Sequence, residues 1–216
     1  MDSRRERLRR ARLYFVTDVR PGLEELLAAA LAGGVDMVQL RDKTASDAEL
    51  VRAAKVFRRV CDEHGALFWL NDRPDLAVAC GADGVHVGLD DLAPAAARQL
   101  AGPDVLIGLS THSSSQLDAA LAGDADQLSV GPVWETPTKE GRPAAGLDYV
   151  RYAAGVAGDR PWFAIGGIDL DNVREVIAAG ASRIVVMRAI RDAPDPRAAA
   201  AALREALEEA EVGAEP

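Results

Sequence analysis

The feature that most constrains this chain is a series of short apolar runs separated by stretches in which apolar residues recur with helical spacing. Most of the runs are continuously apolar rather than alternating, which is typical of strands that are covered on both faces. Such strands occur where helices pack on a parallel sheet. The runs are residues 13–17, 37–40, 67–70, 84–87, 105–108, 127–130, 162–165 and 184–187.

Between the runs, apolar residues lie three and four positions apart, as on one face of an amphipathic helix. Asp47 and Ser114 are expected N-caps. Gly33, Gly65 and Gly180 are expected helix stops. Eight strand–helix units without a linker favour a closed (βα)8 TIM barrel, of the α/β class, over an open flavodoxin-like sheet, which needs fewer strands. The helical segments include residues 23–31, 47–63, 93–100, 114–121, 171–179 and 196–208.

Chain length favours a single TIM-barrel domain over residues 1–216, because two compact domains would each be small. Residues 1–11 are rich in arginine and lack the apolar core of a secretory signal, so we expect a solvated N-terminal arm. Residues 209–216 are expected to form a solvated acidic tail. No stretch is long and apolar enough to span a bilayer, so we expect no membrane partner.

The net charge and the use of cysteine and lysine limit the classes of binding partner that we expect. The net charge of −9 argues against nucleic acid. Cys61 and Cys80 lack the spacing of metal ligands and are expected to be reduced thiols of a cytoplasmic protein. Lysine is rare among the basic residues, yet Lys43 and Lys139 both lie in polar loops after strand-like runs, where a compact point charge suits phosphate. We therefore expect small phosphorylated molecules as partners.

Polar residues follow nearly every expected strand, and loops at the carboxyl ends of barrel strands carry the chemistry of such folds. Gln39, Arg41 and Lys43 alternate after the second strand, so they would project to the same side of an extended segment. An amide, a bidentate guanidinium and a point charge together suit a diphosphate. A solvated loop with a stray salt bridge is the alternative for this triplet.

Two aspartates, Asp72 and Asp91, follow the neighbouring third and fourth strands. Because Mg²⁺ is usually held by one or two carboxylates together with substrate phosphates and water, this pair predicts a Mg²⁺ site. A general acid–base pair and helix N-capping are the alternatives.

The later strands end in candidate binding loops. Gly166 and Gly167 precede a helix after the seventh strand, where many barrels bind phosphate, although turn geometry alone would also explain the two glycines. The glycine- and proline-rich loop 131–146 is long, and long loops in compact domains often bind ligands or act as lids. His86 is expected to pack inside the barrel with a satisfied hydrogen bond.

Eight motifs, in order from about Tyr14 to Ile190, resemble the thiamine-phosphate synthase family. The resemblance implies a TIM barrel that joins 4-amino-2-methyl-5-(diphosphooxymethyl)pyrimidine to a carboxylated thiazole phosphate. Thiamine phosphate, diphosphate and CO2 would form by a dissociative route in which diphosphate leaves first and a pyrimidine-stabilised cation is captured. The motifs are YFVTD at 14–18, QLRDK at 39–43, ND at 71–72, GVHVG at 84–88, STH at 110–112, GPV at 131–133, TPTK at 136–139 and AIGGI at 164–168.

The same resemblance implies a role for each matching residue. Mg²⁺ would be held by Asp72 and Asp91, and catalysis would rest on Arg41, Lys43, Ser110 and Lys139. The pyrimidine diphosphate site would comprise Gln39, Leu40, Arg41, Asp42, Lys43, Asn71, Ser110 and Lys139. The thiazole phosphate site would comprise Thr136, Pro137, Thr138, Gly167, Met187 and Arg188.

Two rival functions share the expected fold: a thiazole tautomerase-like isomerase, and a non-catalytic barrel that binds thiamine phosphates. The isomerase branch lacks most diphosphate and metal residues, whereas this chain has Arg41, Lys43 and Asp72. Two positions depart from the synthase pattern, Leu89 where glutamine is usual and Arg188 where a small serine is usual. A barrel of this size is also compatible with a homodimer.

Overall fold

The computed structural model describes residues 3–136 and 143–212 and is a closed barrel of parallel strands in the order β1 to β8. Each strand pairs with the next in sequence, and β8 pairs with β1 to close the ring. The α/β TIM-barrel prediction is therefore confirmed. The strands are β1 Leu13–Thr17, β2 Met37–Leu40, β3 Leu67–Asn71, β4 Gly84–Val87, β5 Leu106–Thr111, β6 Gln127–Val130, β7 Trp162–Ile165 and β8 Ile184–Val186.

Apart from α1, which precedes β1, the described helices follow the strands and cover the outside of the barrel. Four of those described, α1, α4, α7 and α9, were not among the predicted segments. Both α4 and α9 have four residues, too few for a periodic signal. The helices are α1 Arg4–Arg10, α2 Leu23–Ala32, α3 Asp47–His64, α4 Ala77–Cys80, α5 Pro94–Ala101, α6 Ser114–Leu121, α7 Gly146–Val156, α8 Val173–Ala178, α9 Arg188–Arg191 and α10 Pro196–Val212.

Two kinds of boundary differ from the prediction. The fifth strand runs to Thr111 instead of ending at residue 108, because its polar end still pairs with β6 inside the barrel. The N-caps of α3 and α6 are Ser46 and Ser113, one residue before the expected Asp47 and Ser114. In α3, the Ser46 hydroxyl accepts from the backbone of Glu49, whose carboxylate accepts from the Ser46 backbone. This capping box satisfies two amides at the helix start.

The expected solvated arm at residues 1–11 is wrong for the part that the structure describes. Arg4–Arg10 is the helix α1, and Leu8 is only 2% exposed at the amino end of the barrel. Arg4 and Arg7 contact Asp83, which ties the helix to the barrel floor. The expected acidic tail, 209–216, also begins as helix, because α10 continues to Val212, and residues 213–216 lie outside the described range.

The barrel has two apolar layers because successive strand residues face opposite sides. Phe15 and Leu40 pack outward against the helices. Tyr14 and Trp69 pack inward, with ring centroids 6.0 Å apart, and fill the amino-terminal half of the interior. This inner layer floors the barrel, and a cavity opens at the opposite end. Among the described residues, no helix has the length and apolar character needed to cross a membrane.

Candidate functional site

A cavity of about 390 Å³ opens at the carboxyl ends of the strands, where barrel chemistry is usually found. Its walls are apolar in part, with polar groups converging from several strands, which is the usual make-up of a small-molecule site. The lining residues are Tyr14, Val16, Gln39, Arg41, Asn71, His86, Ser110, Ser129, Pro132, Thr136, Ile165, Gly166, Gly167, Ile168, Asp169, Val185, Val186, Met187, Arg188, Ala189 and Asp192.

In the segment 39–43, which begins within β2, successive side chains point to opposite sides. Gln39 and Arg41 line the cavity. Lys43 lies further out, with its ammonium nitrogen 3.5 Å from an Asp72 carboxylate oxygen. Leu40 points the other way, into the core between strands and helices, where it is 1% exposed. The side chain of Leu40 therefore cannot contact a ligand in the cavity, and only its backbone is available to the expected pyrimidine diphosphate site.

Asp42, also expected in that site, organises its own loop. Its carboxylate accepts hydrogen bonds from the backbone of Thr44 at 2.9 Å, Ala45 at 3.0 Å and Val19 at 3.3 Å. Burial opposes the charge, yet hydrogen bonds from Thr44, Ala45 and Val19 hold the pKa of Asp42 below its ordinary value. Its carboxylate is thus committed to fastening the β2–α3 loop against the β1–α2 loop.

The two expected metal ligands, Asp72 and Asp91, come together beside the cavity. Asp72 follows β3 with a left-handed backbone, φ 58°, and its amide donates to the carbonyl of His86 at 2.8 Å. Burial, the charge of Asp91 and a hydrogen bond with Asp91 raise the pKa of Asp72, against the opposing influence of Lys43 and Asn71. A non-glycine residue in this conformation and a carboxylate beside a like charge both point to a functional position.

A divalent cation suits this pair. Asp91 is oriented by the backbone amide of Gly88, which donates to its carboxylate at 2.8 Å. The Asn71 side chain donates to Asp72 at 2.6 Å and also lines the cavity, so the carboxylates lie at the cavity rim. In residues 3–136 and 143–212 no group of three or more potential ligands would hold a metal alone. Two carboxylates completed by substrate oxygens and water are a coordination set that Mg²⁺ accepts.

The interior carries a polar layer that borders the cavity. His86, 7% exposed, has its Nδ1 atom 3.1 Å from Gln127 Oε1 and its Nε2 atom 2.9 Å from Ser110 Oγ. The expectation that His86 packs inside the barrel with satisfied hydrogen bonds is confirmed. Ser110 lines the cavity and is 4% exposed, so a hydroxyl meets the ligand space from the β5 wall.

The opposite wall is built from the ends of β6, β7 and β8. Thr136, Gly167, Met187 and Arg188, which were expected in the thiazole phosphate site, all line the cavity. A Cβ added at Gly167 would lie 2.8 Å from Trp134 Cβ, and Gly167 has φ 69°, so only glycine fits where the backbone borders the cavity. Pro137, Thr138 and Lys139 of the expected site lie outside the described residues.

Several lining residues were not given a role from the sequence. Tyr14 and Ser129 project inward from within β1 and β6, and Asp169 follows β7. Tyr14 and Ser129 were not predicted because they lie within strands, whereas the sequence prediction considered residues that follow a strand. Polar residues inside strands that are buried on both faces were the available signal, because in a barrel they face the lumen. Asp169 lies in the loop after β7 and carried the same strand-end signal as the residues that were given a role.

The chain is similar to several known proteins. Residues 13–190 match the family model described as thiamine monophosphate synthase. The chain is 56% identical over 195 residues to a thiamine-phosphate synthase of Acidothermus cellulolyticus, covering 88% of this chain and 92% of that one. It is 55% identical over 202 residues to one of Thermus thermophilus, covering 91% and 97%. A solved thiamine phosphate pyrophosphorylase from Pyrococcus furiosus superposes with a TM-score of 0.85 at 36% identity, covering 95% and 98%.

Proposed function

The chain belongs to the thiamine monophosphate synthase family and is a pyrimidinylmethyl transferase, and we propose that the cavity at its barrel mouth holds both phosphorylated substrates. The pyrimidine diphosphate would lie along β2, β3 and β5, and the thiazole phosphate along β6, β7 and β8. The convergence of Asp72 and Asp91 beside Lys43 carries the proposal, because it offers a metal-and-cation site for a diphosphate at the rim of the cavity.

The pyrimidine half would be held by side chains that the fold already brings together. Gln39, Asn71 and Ser110 line one side of the cavity and supply amide and hydroxyl groups. Arg41 and Lys43 supply positive charge for the diphosphate, joined by Lys139 from the loop after β6. Of the same segment, Leu40 would take part only through its backbone, and Asp42 by holding the loop in place.

Asp72 and Asp91 would hold Mg²⁺, which when bound would neutralise part of the diphosphate charge. The chain's own cations act on the same charge. As the bond between the pyrimidinylmethyl carbon and the diphosphate oxygen breaks, negative charge grows on the leaving group. Arg41 lines the cavity and Lys43 lies at its rim, so both would stabilise that charge as it develops. A dissociative route then needs no strong nucleophile from the protein.

The thiazole half would be bound mainly through backbone. Gly166 and Gly167 border the cavity with φ of 104° and 69°, and no Cβ fits at either position, so an anion could approach these peptides closely. Thr136 and the Met187–Arg188 segment line the same wall, and Pro137 and Thr138 would complete it. The guanidinium of Arg188 would add a charge contact where relatives usually carry a small serine. Loss of CO2 would accompany the reaction when the thiazole is carboxylated.

The experiment that tests the proposal is release of diphosphate by the purified protein with both substrates and Mg²⁺. We expect turnover that EDTA abolishes and that stops when either substrate is left out. Isomerisation of the thiazole without diphosphate release would replace the synthase assignment with the tautomerase-like one. Tight binding of thiamine phosphate with no EDTA-sensitive turnover would replace it with the binding protein.

Two further properties are also proposed. We propose a cytoplasmic location, in keeping with the buried, free thiols of Cys61 and Cys80. We also propose a homodimer, which sedimentation of the purified protein would test: a single species at the mass of one chain would contradict it.

A further inference from the structure

We propose that Gln127, His86 and Ser110 form an ordered hydrogen-bond relay that sets the Ser110 hydroxyl as an acceptor toward the cavity, selecting the amino group of the pyrimidine. This inference rests on the proposed function, because it names the substrate group that Ser110 meets. Gln127 does not line the cavity and is a positioning residue, and His86, which does line it, acts in this relay through Ser110.

The direction of the hydrogen bonds in the relay is fixed first by the backbone carbonyl of Leu128. One side-chain terminal atom of Gln127 lies 2.6 Å from the Leu128 carbonyl oxygen and 3.0 Å from the Ser129 hydroxyl oxygen. A carbonyl oxygen can only accept, so this terminal atom must be the amide nitrogen. The other terminal atom, 3.1 Å from His86 Nδ1, is then the amide oxygen, which can only accept. His86 must therefore carry a proton on Nδ1.

The same logic passes through the imidazole ring. A neutral imidazole has a single N–H, so a proton on Nδ1 leaves Nε2 as an acceptor. Ser110 Oγ lies 2.9 Å from Nε2, so with the ring in this neutral tautomer the serine donates its hydrogen to His86. Ser110 also lines the cavity. With its hydrogen directed at the ring, the hydroxyl can offer a ligand only its lone pairs, which suit an N–H donor.

Gly108 packs closely against the hydrogen bond between Gln127 and His86. A Cβ at position 108 would lie 2.5 Å from both Gln127 Oε1 and His86 Nδ1. Any side chain on this residue of β5 would push between the two atoms and break their hydrogen bond. A glycine within a strand commonly marks such a close approach. Gly108 does not line the cavity, so it offers a way to disturb the relay without touching the ligand site.

The first test reads the tautomer directly. The chain contains three histidines, so ¹⁵N-histidine labelling gives three ring spin systems, and the His86→Gln variant identifies the one that belongs to position 86. We expect His86 in the wild-type protein to show a protonated Nδ1 and an unprotonated Nε2. A proton on Nε2, alone or together with Nδ1, would overturn the relay.

The second test measures selectivity. Calorimetry of the 4-amino and 4-oxo forms of the pyrimidine monophosphate compares a donor with an acceptor at one position, without any catalytic step. We expect the wild-type protein to prefer the amino form. In Gln127→Leu the acceptor for Nδ1–H is gone, so the tautomer should reverse and the preference should fall about tenfold, the usual value of one neutral hydrogen bond. An unchanged preference in the folded variant would contradict the proposal.

Two further variants keep the test decisive. Gly108→Ala should weaken the amino preference in the same direction, which covers the case in which Gln127→Leu does not fold. Tyr149→Phe is the matched control, because it removes a buried hydrogen bond of 2.6 Å to Thr111 that lies outside the relay. It should leave the preference unchanged, and an equal fall in this control would reduce the relay to general packing.

The outcomes separate this inference from the proposed function. Wild-type protein that releases diphosphate but carries its His86 proton on Nε2 would remove the relay and leave the synthase function in place. Protein with the expected tautomer that releases no diphosphate from the natural substrates would do the reverse.

Discussion

At the amino end of the barrel, Asp83 is surrounded by cations, whereas at the carboxyl end Asp72 faces another carboxylate. Asp83 accepts from Arg58 at 2.7 Å, from Arg4 at 2.8 Å and from the Phe68 amide at 2.9 Å. Burial opposes its charge, yet the hydrogen bonds from Arg58 and Phe68 and the Arg58 charge hold the pKa of Asp83 below its ordinary value. The pKa of Asp72 is shifted the other way.

Asp72 and Asp83 lie at the two ends of the same short segment between β3 and β4. The opposite shifts of their pKa values therefore come from the groups around each carboxylate. At the amino end, two arginines and a backbone amide donate to the buried carboxylate of Asp83, as in a structural ion network. The mouth gathers negative charge that is neutralised only in part within the described chain, by Lys43. A fold tolerates two adjacent carboxylates where a ligand or metal is to neutralise them. This difference distinguishes the functional end of the barrel from the stabilising end.

The largest expected effect is at the mouth. Asp72→Asn should lower Mg²⁺-dependent turnover at least about 100-fold, because an amide is a poorer ligand for a hard cation than a carboxylate. Asparagine also tolerates the left-handed backbone at this position. The melting temperature of the variant should not fall, because the substitution removes the repulsion between the carboxylates of Asp72 and Asp91. Steady-state kinetics and thermal unfolding of the same preparation measure both quantities.

Asp91→Asn is the companion variant and should give the same division between activity and stability. Near-normal turnover in either variant would remove that residue from the metal site. A large fall in melting temperature in both variants would show that Asp72 and Asp91 stabilise the fold as Asp83 does. The contrast between the carboxyl and amino ends of the barrel would then be wrong.

The next effect is at the floor. Asp83→Asn should lower the free energy of unfolding by about 2 kcal/mol, because the half-buried Arg58 loses its buried partner and Arg4 loses its anchor. Turnover per folded molecule should be unchanged, since Asp83 lies at the end of the barrel away from the cavity. Denaturant titration measures the first quantity and an active-site-normalised rate the second.

Asp62→Asn is the matched control for the floor. Asp62 also contacts Arg58, at 2.8 Å, but its side chain is 66% exposed. Removing this exposed partner should change stability little. Equal destabilisation by both variants would mean that burial of the Asp83 contact adds nothing.

Much of the barrel could be predicted because its strands are covered on both faces and so read as continuous apolar runs. The boundaries of β1, β2, β4, β6 and β7 agree with the prediction to the residue. The helix α1 could not be found in this way. Its position depends on one buried leucine and on ion pairs between Arg4, Arg5 and the distant Asp83 and Asp126, which no local pattern reveals.

The site was predictable to the extent that strand order brings residues together. Asp72 and Asp91 follow neighbouring strands, and alternation placed Gln39 and Arg41 on one side. A contiguous motif does not show which of its members face the ligand. Leu40 belongs to the same motif and faces the helices, because adjacent strand residues point to opposite sides.

A smaller effect is expected from Gly88→Ala, which perturbs the mouth without removing a carboxylate. The added Cβ would lie 2.8 Å from the Asp91 oxygen that accepts from the Gly88 amide, so the carboxylate must turn away. We expect the Mg²⁺ concentration for half-maximal rate to rise about tenfold, as for other groups that orient metal ligands. Gly155→Ala, in the exposed part of α7 with no neighbour within 4 Å, is the matched substitution and should leave that concentration unchanged.

The smallest effect is the pH dependence of the stability that Asp83 contributes, which is opposite in direction to that expected from the raised pKa of Asp72. The pKa of Asp83 is lowered in the folded protein, so its contribution is fully present above the unfolded value of about 4 and is lost as pH falls through the folded value. The melting temperatures of wild type and Asp83→Asn should therefore be furthest apart near neutrality and converge below about pH 4. A constant gap across that range would mean that the arginines around Asp83 stabilise by packing rather than by charge, and the contrast between the two ends of the barrel would then not be electrostatic.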